Sequence, residues 1–407
     1  MNINLKDIPE YLKNSQLYRI FFENSEENDI ILINPIHNIP NINIQSFDDL
    51  CNYLDIYRYW MLDEYFKELF YDYVKNNEIV EECMEYLKNN FKELDLIEEF
   101  THIQNFNKNS SKFAVEKGNI YLVKYLYKNK YPFDKDITKI AAQYGHLDCL
   151  KYLHENGFLL KENVNYRAAK NGHIHILKYA HENNCHWDIW TCAFAAKNGK
   201  LNCLRYAREN GCRWDKMTCI YAAEYGHLDC LKYAHENGCP WDEYACKYTA
   251  SKNQLDSLIY LHKNGCPWNE DTCKFAASNG HINILKYAHE NGCPWNKYTC
   301  SNASLNGHLD CLIYAHENGC QWNICTTSNA SKNGNLDCLI YAHENGCPWD
   351  KDICANAAWN GQLDCLIYAH ENGCPWNEVT YYNAVLQNHQ NILKYVSENG
   401  CIWNEHK

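Results

Sequence analysis

No run of 18 apolar residues occurs in this chain, so no transmembrane helix is expected. Its first residues, Met1-Asn2-Ile3-Asn4-Leu5-Lys6-Asp7, have neither the basic stretch nor the apolar core of a signal peptide. There is no excess of basic charge. Lys plus Arg number 38 against 51 Asp plus Glu, a net charge of -13, which argues against nucleic acid as the main partner. No C-x-x-C occurs among the 24 cysteines, although structural zinc usually uses such a close pair. No glycine occurs before Gly118. What is present is ordinary in bulk. The 407 residues are 22% charged and 46% hydrophobic, which argues against wholesale disorder and suits two or three domains or one extended repeat array. A soluble chain in a reducing, intracellular compartment is the expectation, and the placement of the cysteines must explain their number.

The glycines carry the organisation. All 18 fall into two phases of a 27-residue period, one running from Gly118 to Gly361 and the other from Gly157 to Gly400. Tryptophan keeps the same period from Trp187 to Trp403, and Leu160, Phe133 and Phe106 extend that phase backwards, giving eleven periods. A fixed period in this range means a stacked repeat array. Each unit reads as two short antiparallel helices. Asp or Asn after the tryptophan (Asp188, Asp215, Asn269, Asn296, Asp350) suits an N-cap. Each glycine phase stops one helix in a left-handed conformation, and Asn184, Asn253 and Asn388 fill the phase where glycine is missing. Pro240, Pro267, Pro294, Pro348 and Pro375 follow the second stop, where a helix cannot continue.

The segment Ala222-Ala223-Glu224-Tyr225-Gly226-His227-Leu228-Asp229-Cys230-Leu231-Lys232-Tyr233, followed by Glu236-Asn237-Gly238, resembles the ankyrin repeat. The resemblance runs over roughly residues 106–403. The period is shorter than the ankyrin period of about 33 residues, and the missing residues lie where ankyrins carry a β-hairpin finger. With its His-Glu-Asn-Gly-Cys-Pro-Trp signature the unit looks like the short-loop ankyrin-like proteins of giant DNA viruses of amoebae. The resemblance implies a mostly α fold, an α-solenoid of ankyrin-like helix pairs, behind a small α/β or helical head. It also implies a non-enzymatic scaffold that binds a protein, in the host cytoplasm or in the virion. Ala180, Ala234 and Ala288 stand where ankyrins place leucine, and Trp stands where they place a closing Val, as if volume were exchanged within the core.

Twenty-one cysteines occupy three phases: two before the tryptophan, five after it, and one in the second helix. These read as small buried hydrophobes. Equivalent residues of stacked helices lie about 8–10 Å apart, whereas a disulfide needs Cα atoms within about 7 Å. Ladders of equivalent cysteines therefore cannot bridge, although pairs such as Cys239 and Cys246 remain open. His235 and its equivalents, spaced H-x3-C, are expected to bond a turn backbone or pack on the tryptophan rather than to bind metal. The glycines are all helix stops, leaving no phosphate loop, and no single catalytic constellation stands apart from the repeats. No cofactor and no metal are expected, and a metal or redox role for the cysteines is the weakest alternative.

Function in a solenoid lies where its repeats differ. Positions three, seven and ten after each tryptophan share one face of the first helix. They give the candidate protein-binding residues Trp190, Met217, Tyr244, Phe194, Tyr221, Tyr248 and Trp359. An aromatic stripe ends near residue 300, where position seven becomes Asn302, Asn329, Asn356 and Asn383. Trp190 and Trp359 are out of register with the repeat and are expected to be exposed, flanking a concave surface. Position seven has an equally good reading as interhelix core.

The head, residues 1–104, holds 8 basic and 21 acidic residues, leaving 30 of each in residues 105–407. Strand-like runs at 18–22 and 30–33 precede three helical stretches near 47–58, 61–76 and 78–90. Ser46 and Asp49 suit a cap. Residues 50–63, around Tyr53-Leu54-Asp55-Ile56, resemble the later helices of BTB/POZ and cullin-adaptor proteins. That resemblance implies a host-directed ubiquitin-ligase adaptor with a cullin partner. A plain cap on the array, and a structural virion or inclusion component, are the alternatives.

Overall fold

The computed structural model describes residues 108–161 and 163–401. The head with its expected strands and helices, Phe106 and Trp403 lie outside the described residues. The chain divides into two compact units, residues 1–134 and 135–407. The described residues hold 22 helices and no strand. In the first unit one helix pair is described, Lys108–Glu116 and Ile120–Lys128. In the second, helix pairs recur from Ile137–Tyr144 and Leu147–Glu155 to Glu378–Leu386 and Gln390–Glu398.

Helices this short are marginal in water by themselves, so their stability comes from stacking. First helices of successive repeats pack side by side, and each second helix packs on the first helix of its own repeat. Paired small residues permit the close approach: Ala222 and Ala223 are fully buried, as are Ala276 and Ala277. Leu231, Cys230 and Ala234 of the second helix complete one layer, and every repeat lays down the same layer again.

Helix starts follow from the residue after the tryptophan. Asp215, Asp242, Asn269, Asn296, Asn323 and Asn377 hold extended backbone and accept from the amide two residues on. Asp188 and Asp350 accept the same bond from the Trp190 and Asp352 amides. Helix ends are left-handed at both glycine phases, and Asn184, Asn253 and Asn388 have φ of 59, 58 and 56°. Lys130, φ 58°, holds the second phase within the first unit. The two phases differ in surroundings. A Cβ on Gly199 would lie 2.7 Å from His227 Nδ1, whereas one on Gly211 would meet nothing within 4 Å. The first phase thus also makes room for the residue 28 positions on. His173, seated over Gly145, bonds the Gln143 carbonyl through Nε2 at 3.1 Å.

Among the described residues the in-register tryptophans are half-buried and do not join the core as expected from the alanine substitutions. Ala234 is buried, but the Trp241 ring lies outside it, stacked on His235 with centroids 3.8 Å apart. Tyr260 of the next repeat closes on both rings edge-on, and its hydroxyl lies 2.9 Å from His235 Nδ1. Burial pushes the Tyr260 hydroxyl above its ordinary range. The same His-Trp-Tyr cluster recurs at His262, His316, His343 and His370. Where histidine gives way to Arg208, the guanidinium sits 4.3 Å from the Trp214 ring instead. Histidine therefore packs on the tryptophan as expected, and its hydrogen bond goes to a neighbouring tyrosine.

Candidate interaction face

The first helices leave one face free of the repeat-to-repeat packing, and its side chains are set by helical spacing. In the helix Trp190–Lys197, Trp190 and Phe194 are one turn apart and their rings touch at 6.1 Å between centroids. Phe194 continues sideways to Tyr221 of the next repeat at 6.4 Å and to Tyr166 of the preceding one at 5.6 Å. Tyr244 stacks on Tyr248 at 6.1 Å within the helix Glu243–Ser251. The result is a row of rings running across consecutive repeats.

Exposure separates anchors from supports. Trp190, Tyr244 and Trp359 are 42, 41 and 44% exposed. Phe194, Tyr221, Tyr248 and Met217 are half-buried. Position seven is thus neither core nor free surface: its rings lean on one another and present an edge outward. Tyr166, Tyr225 and Tyr298 belong to this face and are absent from the sequence-derived candidate set. Tyr298 sits at position three, in the same register as Trp190, Met217 and Tyr244. Tyr166 and Tyr225 lie one residue off the chosen positions, so no register argument reaches them.

Lysines thread between the rings. Lys197 Nζ lies 5.0 Å from the Tyr221 ring and 4.7 Å from Tyr225. Lys247 lies 4.7 Å from the Phe275 ring and 5.3 Å from Tyr244. Carboxylates fix some of these cations. Lys216 meets Asp242 at 2.7 Å. Lys274 and Lys247 both reach Asp271, and their bonds hold its carboxyl below the usual range. The face is therefore amphipathic: flat apolar rings, with ammonium groups held at their edges.

Beyond residue 300 the face changes, and the asparagine positions have a structural use. Asn329 donates to the Ser301 carbonyl at 3.1 Å, and Asn383 donates to that of Ala355 at 2.9 Å. Asn356 reaches Ser328 Oγ at 3.0 Å. These three amides tie their helices to the preceding first helix, while Asn302 bonds the Tyr298 carbonyl of its own helix. Trp359 and Leu386 stand exposed among them, while Leu305 is half-buried.

Among the described residues no group of three or more His, Cys, Asp or Glu side chains could hold a metal ion. No helix among them is long and apolar enough to cross a membrane.

Residues 139–181 match the family model for ankyrin repeats present in many copies. No curated protein matches the chain. Among solved structures it is similar to the human ASB11 ankyrin repeat domain, at 17% identity and a TM-score of 0.34, over 39% of this chain and 84% of that one.

Proposed function

We propose that this chain is a non-enzymatic scaffold that grips a protein partner along the first-helix face of its array, between Trp190 and Tyr298. Ankyrin repeats generally serve as protein–protein interaction modules, and the match at residues 139–181 supports the same use here. The observation that carries the reading is the row of rings itself. Exposed, pre-packed aromatics such as Trp190 and Tyr244 lose little entropy on binding, and such residues dominate interface energetics. Trp359 extends the surface towards the last repeats. The acidic head would supply a second contact, a cullin-type ubiquitin-ligase subunit meeting residues 50–63, so that the array holds a host target for modification.

The test compares the intact chain with a Trp190→Ala, Tyr244→Ala, Trp359→Ala variant in affinity capture from host lysate. These side chains are exposed, so the variant should keep its helical circular dichroism. The expected outcome is a discrete partner retained by the intact chain and lost from the variant, at a cost of about 2 kcal/mol or more per anchor. Equal recovery by both proteins would overturn the assignment of the face. Cullin recovered with the intact chain and with the triple variant would support the head contact. Its absence from both would leave the head as a cap.

A further inference from the structure

The cysteines five residues after one tryptophan and two before the next are 20 residues apart, and they meet where consecutive repeats join. Cys219 Sγ lies 3.7 Å from the Cys239 carbonyl oxygen, Cys273 Sγ 3.9 Å from that of Cys293, and Cys300 Sγ 3.8 Å from that of Cys320. The two side chains of each of these pairs therefore meet across the junction between repeats. The same 20-residue spacing, on the same repeated helix and loop, sets Cys192 against Cys212, Cys246 against Cys266 and Cys354 against Cys374. All twelve are free and buried.

The loop cysteine of each pair is held from a second side. Cys239 donates to the Asp215 carbonyl at 3.2 Å, and Cys374 donates to that of Asp350 at 3.1 Å. Its side chain is thereby aimed back at the preceding repeat. At Cys219 and Cys239 the neighbouring sulfurs separate the two thiols in acidity: the loop thiol loses its proton more readily and its partner less readily. The acidity of Cys212, Cys239, Cys320 and Cys374 is raised by the partner sulfur. Access differs as well: Cys239 is 4% exposed and Cys219 not at all. At Cys239 a thiol of raised acidity, with a sliver of surface, faces a second thiol, as disulfide closure through a sulfenic acid requires, and the other pairs repeat the placement of the two sulfurs.

We propose that these six thiol pairs are oxidation sites for small hydroperoxides and close as disulfides that staple each repeat to the next. The loop thiolate attacks the peroxide oxygen, the O–O bond breaks, and a sulfenic acid forms on its sulfur. The departing oxide takes up a proton from the partner thiol. The partner sulfur then attacks the sulfenic sulfur, the S–S bond forms, and hydroxide leaves to take the remaining proton as water. Two thiols and one hydrogen peroxide become one disulfide and two waters. The array carries its own controls. Cys185, Cys347 and Cys401 face Asn165, Thr327 and Tyr381 at the position where the others have a cysteine.

The test treats the full chain with hydrogen peroxide, alkylates it in denaturant, and maps linked peptides by mass spectrometry. The expected map links Cys192–Cys212, Cys219–Cys239, Cys246–Cys266, Cys273–Cys293, Cys300–Cys320 and Cys354–Cys374, with Cys185, Cys347 and Cys401 unlinked. Dithiothreitol should reverse the links, and the urea midpoint should rise on oxidation and return on reduction. In Cys219→Ser the Cys239 link alone should vanish, and in Cys300→Ser the Cys320 link alone. Full alkylation of all six pairs after peroxide, sulfinic acid without links, or links at other spacings would each overturn the proposal. The wild-type map decides without either variant.

Discussion

Glycine in this chain has two physical tasks, and single substitutions separate them. Gly199 and Gly211 both have positive φ, 65 and 87°, which costs an L-residue about 1 kcal/mol. Only at Gly199 does an added Cβ also collide with a neighbour, the His227 ring. Gly211→Ala is expected to destabilise by about 1 kcal/mol and Gly199→Ala by about 2–4 kcal/mol, read from urea midpoints. Equal losses would mean that the histidine moves aside freely. A pH effect also arises at single residues. Burial holds His281 and His289 below the usual histidine range. Below about pH 6.5 the unfolded chain takes up protons that these two folded side chains refuse. Stability is therefore full above that pH and falls as the pH drops through it. Urea midpoints at pH 7.5 and 5.5 should differ in that direction, and His289→Gln should reduce the difference. The left-handed asparagines were legible from the period alone, because substitution at a fixed phase exposes a backbone demand. Lys130 was not, since lysine does not advertise that conformation. The tryptophan position was legible, but its half-burial was not, because stacking on His235 depends on a ring of the next repeat.

Each element is a helix pair that repeats without change of backbone, and the array should tolerate loss of a whole period but not of a fraction. Deleting residues 241–267 removes one unit and joins Pro240 to Trp268, which restores the Pro-Trp sequence of the neighbouring repeats. The expected product is helical, with a cooperative but lower unfolding midpoint. Deleting residues 241–260 instead breaks the register of caps, glycines and cysteines and should give an unfolded or aggregated chain, as circular dichroism and size-exclusion chromatography would show. Helix pairing, caps and stops all followed from spacing, since they are local. Contacts from one repeat to the next did not. The sequence left Cys239 open to pairing with Cys246, but the stacking of repeats sets Cys239 against Cys219 and Cys246 against Cys266. The asparagines after residue 300 read as a surface ladder, yet Asn329 and Asn383 are bound to the preceding helix.

Across the chain, the net charge and the ring-lined face fall in different segments. The net -13 belongs to residues 1–104, while residues 105–407 carry 30 charges of each sign. Exposed rings gather on the first-helix face of the array, where lysines such as Lys197 and Lys247 border them. On the proposed use of this face a partner would meet a preformed apolar strip edged by lysines, several of them paired with Asp242 and Asp271, which favours a segment rich in apolar side chains. The decisive measurement is hydrogen exchange of the chain alone and in complex with a captured partner. The account predicts slowed exchange in the first helices Trp190–Lys197, Lys216–Glu224 and Glu243–Ser251 and unchanged exchange in their second helices. Protection confined to second helices such as Leu228–Glu236, or to the head, would contradict it.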